Sequence, residues 1–138
     1  MITRSSISKS GAGASSVNVV VTKDTTSYTA GENINSHTPV VLVGNLLYKM
    51  NNTNPLHAFS FLGFTQTSVI TGGTVPIKTD TIALSGWGLI PNKNYLAGPN
   101  GTLILTNSVI NSFTKVIAFS QDANSLLIIT QNTAVLKT

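Results

Sequence analysis

The sequence predicts an all-β fold: a single small antiparallel β-sandwich or barrel-like domain with an extended N-terminal arm. Three observations lead there. Short β-branched and aromatic runs recur, with turn signals about every 8–12 residues, the spacing of sandwiches and barrels. No stretch long enough for a helix carries apolar residues at helical spacing. The composition also opposes helices, because only 9% of residues are charged while 19 Thr, 15 Ser and 14 Asn make up about a third of the chain. Helical bundles draw instead on Glu, Lys, Ala and Leu.

Residues 1–16 are rich in Ser, Gly and Ala and follow neither period, so they form the arm; residues 17–138 form the β-domain. VNVVVT at 17–22 is a β-branched strand, and 23–27 a turn. A second turn lies within 28–34, at Ala-Gly-Glu-Asn. PVVLV at 39–43 is a continuous apolar run, suited to a strand buried on both faces. Gly44-Asn45 joins it to LLYKM at 46–50 as a two-residue hairpin. NNTNP at 51–55 is a loop, and 58–64 (AFSFLGF) a strand with Phe59 and Phe61 on one face and Ala58, Ser60 and Leu62 on the other.

The chain stays extended over 66–71 and turns at Gly72-Gly73. Pro76 places 74–79 at a sheet edge or a strand end. A short strand at 82–84 leads into the loop SGWGLIPNK at 85–93. Residues 94–97 are extended, 98–101 (GPNG) turn, and 102–106 (TLILT) are extended again. Residues 107–112 carry the one candidate turn of helix. FTKVIAFS at 113–120 and SLLIIT at 125–130 flank a closing hairpin at 121–124, and 135–138 is a final strand or tail. This amounts to nine to eleven strands.

Function classes narrow by subtraction. With no Cys, disulfide scaffolds and Cys-ligated metal sites are excluded. The net charge of +4 comes from one Arg and scattered Lys, without the basic patch that nucleic acid requires. No apolar run reaches the ~20 residues of a membrane span, and no apolar stretch near Met1 suits a signal peptide, so synthesis in the cytoplasm is expected. Gly11-Ala12-Gly13 lacks the Gly-Lys-Ser/Thr of a phosphate loop. Asn51-Asn52-Thr53 matches a glycosylation acceptor, which has no meaning without secretion.

Asp24, Glu32, Asp80 and Asp122 all sit in or beside turn signals, and His37 and His57 stand where strands begin. Neither set is spaced for acid–base, metal or nucleophilic chemistry, so no enzyme, cofactor or metal is expected. Trp87, between Gly86 and Gly88, and Tyr95 are the aromatics that could stack on a sugar ring or anchor a subunit contact; the second reading is favoured.

The order of motifs adds a resemblance. Ala30-Gly31-Glu32-Asn33-Ile34, then PVVLVGNLLYKM, then residues 59–64 are followed by LSGWGLIP at 84–91, Asn94-Tyr95-Leu96, Asn100-Gly101-Thr102-Leu103, VIAFS at 116–120 and 126–129. Over residues 28–130 this order resembles the β-domains of bacteriophage virion fibres, of the head-fibre and tail-fibre type. Ile90 stands for the family's Thr, Asn92 for its Gly, Asn94-Tyr95 for its tyrosine pair, and Ile117 where Gly is common.

The resemblance implies a structural virion protein, with a homotrimer favoured over a dimer, that decorates the capsid as a head fibre. Residues 1–16 would hold it to a capsid or tail protein, with Arg4, Ile7 and Lys9 as docking residues. The virion surface is its expected location. The alternatives are a tail-fibre or baseplate component, or a carbohydrate- or receptor-binding module that meets a host glycan through Trp87 and Tyr95.

Overall fold

The computed structural model describes residues 25–106, 112–130 and 135–136. The candidate arm residues Arg4, Ile7 and Lys9, the strand expected at 17–22 and most of the candidate helical turn at 107–112 lie outside them. The described chain is all-β. Among the described residues, no helix is long and apolar enough to cross a membrane.

Five strands close into a barrel: β1 (Thr25–Ala30), β2 (Pro39–Val43), β3 (Leu46–Lys49), β4 (Phe61–Thr65) and β5 (Thr74–Lys78), in the order β1-β3-β2-β4-β5. A five-stranded sheet follows in the chain. It is built from β6 (Thr81–Ala83), β7 (Asn94–Ala97), β8 (Leu103–Ile104), β10 (Val116–Asp122) and β11 (Ser125–Ile128), in the order β6-β11-β10-β7-β8. β9 (Phe113–Thr114), which falls between β8 and β10 in sequence, pairs with β12 (Val135–Leu136), which follows β11.

Of the turn expected at 23–27, residues 25–27 are instead the start of β1, and 23–24 lie outside the described residues. Thr25 to Thr29 pair antiparallel with β5, and this pairing recruits a Thr- and Ser-rich stretch that reads locally as a loop. β1 also runs parallel to β3, with Thr29 opposite Leu46. The antiparallel expectation therefore fails at one barrel pair, β1–β3. The β2–β3 hairpin forms as expected. Gly44 and Asn45 both have positive φ, 59° and 66°, the backbone that a two-residue turn demands.

The expected strand at 58–64 is shorter. Asn54 accepts the Leu56 amide at 3.0 Å and Pro55 takes the first helical position, so Pro55–Phe59 forms a 3₁₀ turn and β4 begins at Phe61. Phe59 ends half-exposed on that turn, while Ala58 is buried. A bulge at Leu62 then sets Val40 opposite Gly63 and Val41 opposite Phe61. Phe61 and Phe64 consequently share a face although three residues apart.

Residues 66–71 hold only the isolated bridge Ile34–Val69, and the β4–β5 connection is longer than a hairpin. Pro76 lies within the closed barrel and not on an edge strand. It sits past the last β4–β5 pair, Thr65–Ile77, so no β4 partner needs its missing N–H.

Alternation along β2 separates two cores. Val40, with Leu47, Val75 and Ile77, fills the barrel. Val41 points outward and joins Met50, Phe61 and Phe64 against Ile82, Leu126, Ile117 and Phe113 of the later strands. The outside of the barrel is thus one wall of the second core, which matches the continuous apolar run at 39–43.

Candidate functional site

Trp87 lies on this seam. Gly86 and Gly88 flank it with φ of 81° and 69°, values that suit glycine and let the loop double back. The half-buried indole meets Phe64 edge-to-face at 5.8 Å and His37 at 5.0 Å, and Phe64 meets Phe61 in the same manner at 5.9 Å. Four rings thus run from the barrel rim into the core.

His37 is held from both sides. Its Nε2 lies 3.0 Å from the Ser85 carbonyl, which can only accept, so Nε2 carries the proton. Nδ1 then accepts from the Ser36 hydroxyl at 2.9 Å. This is a hydroxyl–imidazole contact, but the third member is a carbonyl without the charge that stabilises an imidazolium. It fastens the loop after β6 to the barrel.

Tyr95 is only 7% exposed, and its hydroxyl accepts the Ile90 amide at 2.9 Å. Buried Ser120 works beside it, accepting from the Lys93 amide and donating to the Ile90 carbonyl. Together they shape the 85–93 loop. Trp87 and Tyr95 therefore do not share an exposed face, which counts against the alternative of a sugar platform built from this pair: the Tyr95 ring is committed to the core.

The titratable groups are dispersed. His57, 8% exposed, accepts the Asn51 amide through Nδ1 at 2.9 Å. Burial holds it below the usual imidazole value, and Glu32 draws it part-way back. Glu32 itself accepts the Lys49 amide at 2.7 Å. Asp122 caps the β10–β11 turn by accepting the Asn124 amide, as its place in the closing hairpin suggests. Lys115, 1% exposed, is pushed below the usual lysine value by burial. Among the described residues no three His, Asp or Glu side chains group as metal ligands do.

What the surface does offer is apolar. Val43, Leu56 and Phe59 are exposed at the barrel end that carries the β2–β3 turn, and Val43 and Leu56 line a groove of ≈ 230 Å³ with Tyr48, Asn54 and His57. A more open cleft of ≈ 510 Å³ runs between Asn33–Asn35 and Ser68–Ile70.

Sequence reasoning missed Ser120, the buried Asn52, whose side-chain amide donates to the Ala97 carbonyl at 3.0 Å, and the His37–Trp87 contact. The Asn54-Pro55 pair, a capping signal followed by a preferred first helical residue, could have located the 3₁₀ turn and with it the exposed Leu56 and Phe59. No protein-family profile matches this chain, and no curated protein matches it.

Proposed function

We propose that this chain is a structural protein of a bacteriophage virion, a head-fibre or capsid-decorating oligomer that docks through residues 1–16. The observation that supports the reading is the seam. A closed barrel shares a core with a second sheet through Phe61, Phe64 and Trp87, so the aromatic groups are used for rigidity. Exposed Val43, Leu56, Phe59 and Leu127 supply apolar surface for neighbours in an assembly. The burial of Tyr95 favours this reading over a glycan-binding module.

The test is assembly. A chain lacking residues 1–16 should keep its β circular dichroism and its oligomeric mass but fail to co-purify with virus particles. Normal incorporation of the shortened chain removes the docking assignment, and a monomeric full-length chain removes the oligomer. A tail-fibre or baseplate role differs only in where antibody labels the particle in electron micrographs.

A further inference from the structure

Of the 14 Asn in the chain, only Asn100 precedes a Gly. Glycine has no Cβ to shield its nitrogen or to restrict the backbone. An Asn before it is therefore the Asn most open to spontaneous ring closure. In that reaction the Gly101 nitrogen attacks Asn100 Cγ. The new C–N bond replaces the side-chain bond to the amide nitrogen, and ammonia leaves with the proton of the Gly101 amide. Water then opens the succinimide at either carbonyl. Opening at Cγ leaves Asp, while opening at the main-chain carbonyl leaves isoaspartate, whose backbone is longer by one methylene. Water is the one reagent consumed.

The fold holds this pair away from that chemistry. Asn100 is exposed in the turn between β7 and β8 and lies in the left-handed region, at φ 50° and ψ 46°. At that ψ the Cβ of an L residue is nearly anti to the next nitrogen, whereas ring closure needs the two on the same side. The peptide plane would have to swing round, and Gly101 is fastened against it. Its amide donates to the Met50 carbonyl at 2.6 Å. Its Cα is pressed on the barrel, since a Cβ there would stand 2.7 Å from Thr38 Cγ2 and 3.1 Å from Lys49 Cβ. Asn51 Nδ2 donates to Asn100 Oδ1 at 3.3 Å, which ties the amide that would be attacked to the 51–55 loop. Within the turn, the Thr102 amide and hydroxyl both donate to the Pro99 carbonyl, at 3.2 and 2.7 Å.

We propose that Asn100 is a modification site kept latent by the barrel: succinimide formation requires the β7–β8 turn to lift off Met50 and Asn51, so deamidation at Asn100 counts those openings. Each event leaves a carboxylate in the turn, and isoaspartate also sets Gly101 one bond further from Pro99, out of register with Met50. The proposal stands apart from any role on a virion.

The full chain is incubated at pH 7.4 and 37 °C, folded and in urea, and tryptic peptides are read by mass spectrometry, with fragmentation to place the converted residue. In urea, Asn100 should convert ahead of every other Asn, including Asn124, which precedes Ser125. In the folded chain it should convert at least about tenfold more slowly than in urea. Asn51→Ala should raise the folded rate about threefold and leave the urea rate unchanged. Hydrogen exchange at the Gly101 amide should be slowed in the folded chain by a factor no larger than deamidation is, because exchange needs release from Met50 but no swing of the peptide plane. Equal rates folded and unfolded, no lead for Asn100 in urea, an unchanged folded rate in Asn51→Ala, or an unprotected Gly101 amide would each overturn the proposal.

Discussion

The imidazole of His37 and the indole of Trp87 meet edge-to-face at 5.0 Å, and the same His37 ring donates to the Ser85 carbonyl two residues before Trp87. The 85–93 loop is thereby bound to the barrel by both a ring contact and a hydrogen bond.

Replacing Trp87 with Ala should destabilise the fold by about 2–3 kcal/mol, less than a fully buried Trp because the ring is half-exposed. Denaturant unfolding followed by circular dichroism measures it. Trp87→Phe, which retains an aromatic edge toward Phe64, should recover about half of that loss. A loss below about 0.5 kcal/mol for the Ala variant would mean that the seam does not depend on this ring.

Tyr95→Phe removes the acceptor of the Ile90 amide while leaving the packing in place. A cost of about 1 kcal/mol is expected, together with faster hydrogen exchange at Ile90 and not at Ala97. Uniform acceleration at both amides would instead indicate global loosening.

His57 makes stability depend on pH. Its folded pKa is lowered by burial, so below about pH 6.5 the unfolded chain binds the proton more readily. Stability is therefore full above that value and declines as pH falls toward 5, above the range in which ordinary carboxylates titrate. Protonating Nδ1 would also break its bond from the Asn51 amide. His57→Asn, whose carboxamide oxygen can accept that amide, should flatten the slope of unfolding free energy between pH 7 and 5. An unchanged slope would assign the dependence to another group.

Gly63 is where β4 crosses close to β5: a Cβ there would collide with the Lys78 carbonyl. Gly63→Ala should cost about 3 kcal/mol or more, because the obstacle is backbone. Gly44→Ala, at φ 59° with open space around it, should cost only about 1 kcal/mol. Comparing the two melting midpoints separates crowding from backbone strain.

The all-β class was legible because turn chemistry and strand composition agree locally, as at PVVLV-Gly44-Asn45-LLYK. β1 was not legible. Thr25 to Tyr28 have weak apolar alternation and become a strand only through distant partners, Val75 to Lys78. The shared face of Phe61 and Phe64 was hidden by a bulge, which shifts the period of two by one residue. For the site, the surroundings of Trp87 marked it as special, yet its partners Phe64 and His37 come from strands and turns brought near only by the tertiary fold. The burial of Tyr95 depends on loop 85–93 folding over it, which no local pattern announces.

Barrel closure also sets an order of events. All five barrel strands come from one continuous stretch ending at Lys78, and every strand of the second sheet follows it. During synthesis the barrel can close as soon as β5 has emerged, with Val40 and Ile77 already enclosed. Val41, Phe61 and Phe64 then wait on its outer surface until Ile82, Ile117 and Leu126 arrive. That interval leaves a nascent chain with a finished interior and a sticky exterior, the stage at which a chaperone, or a neighbouring copy still on its ribosome, would find it.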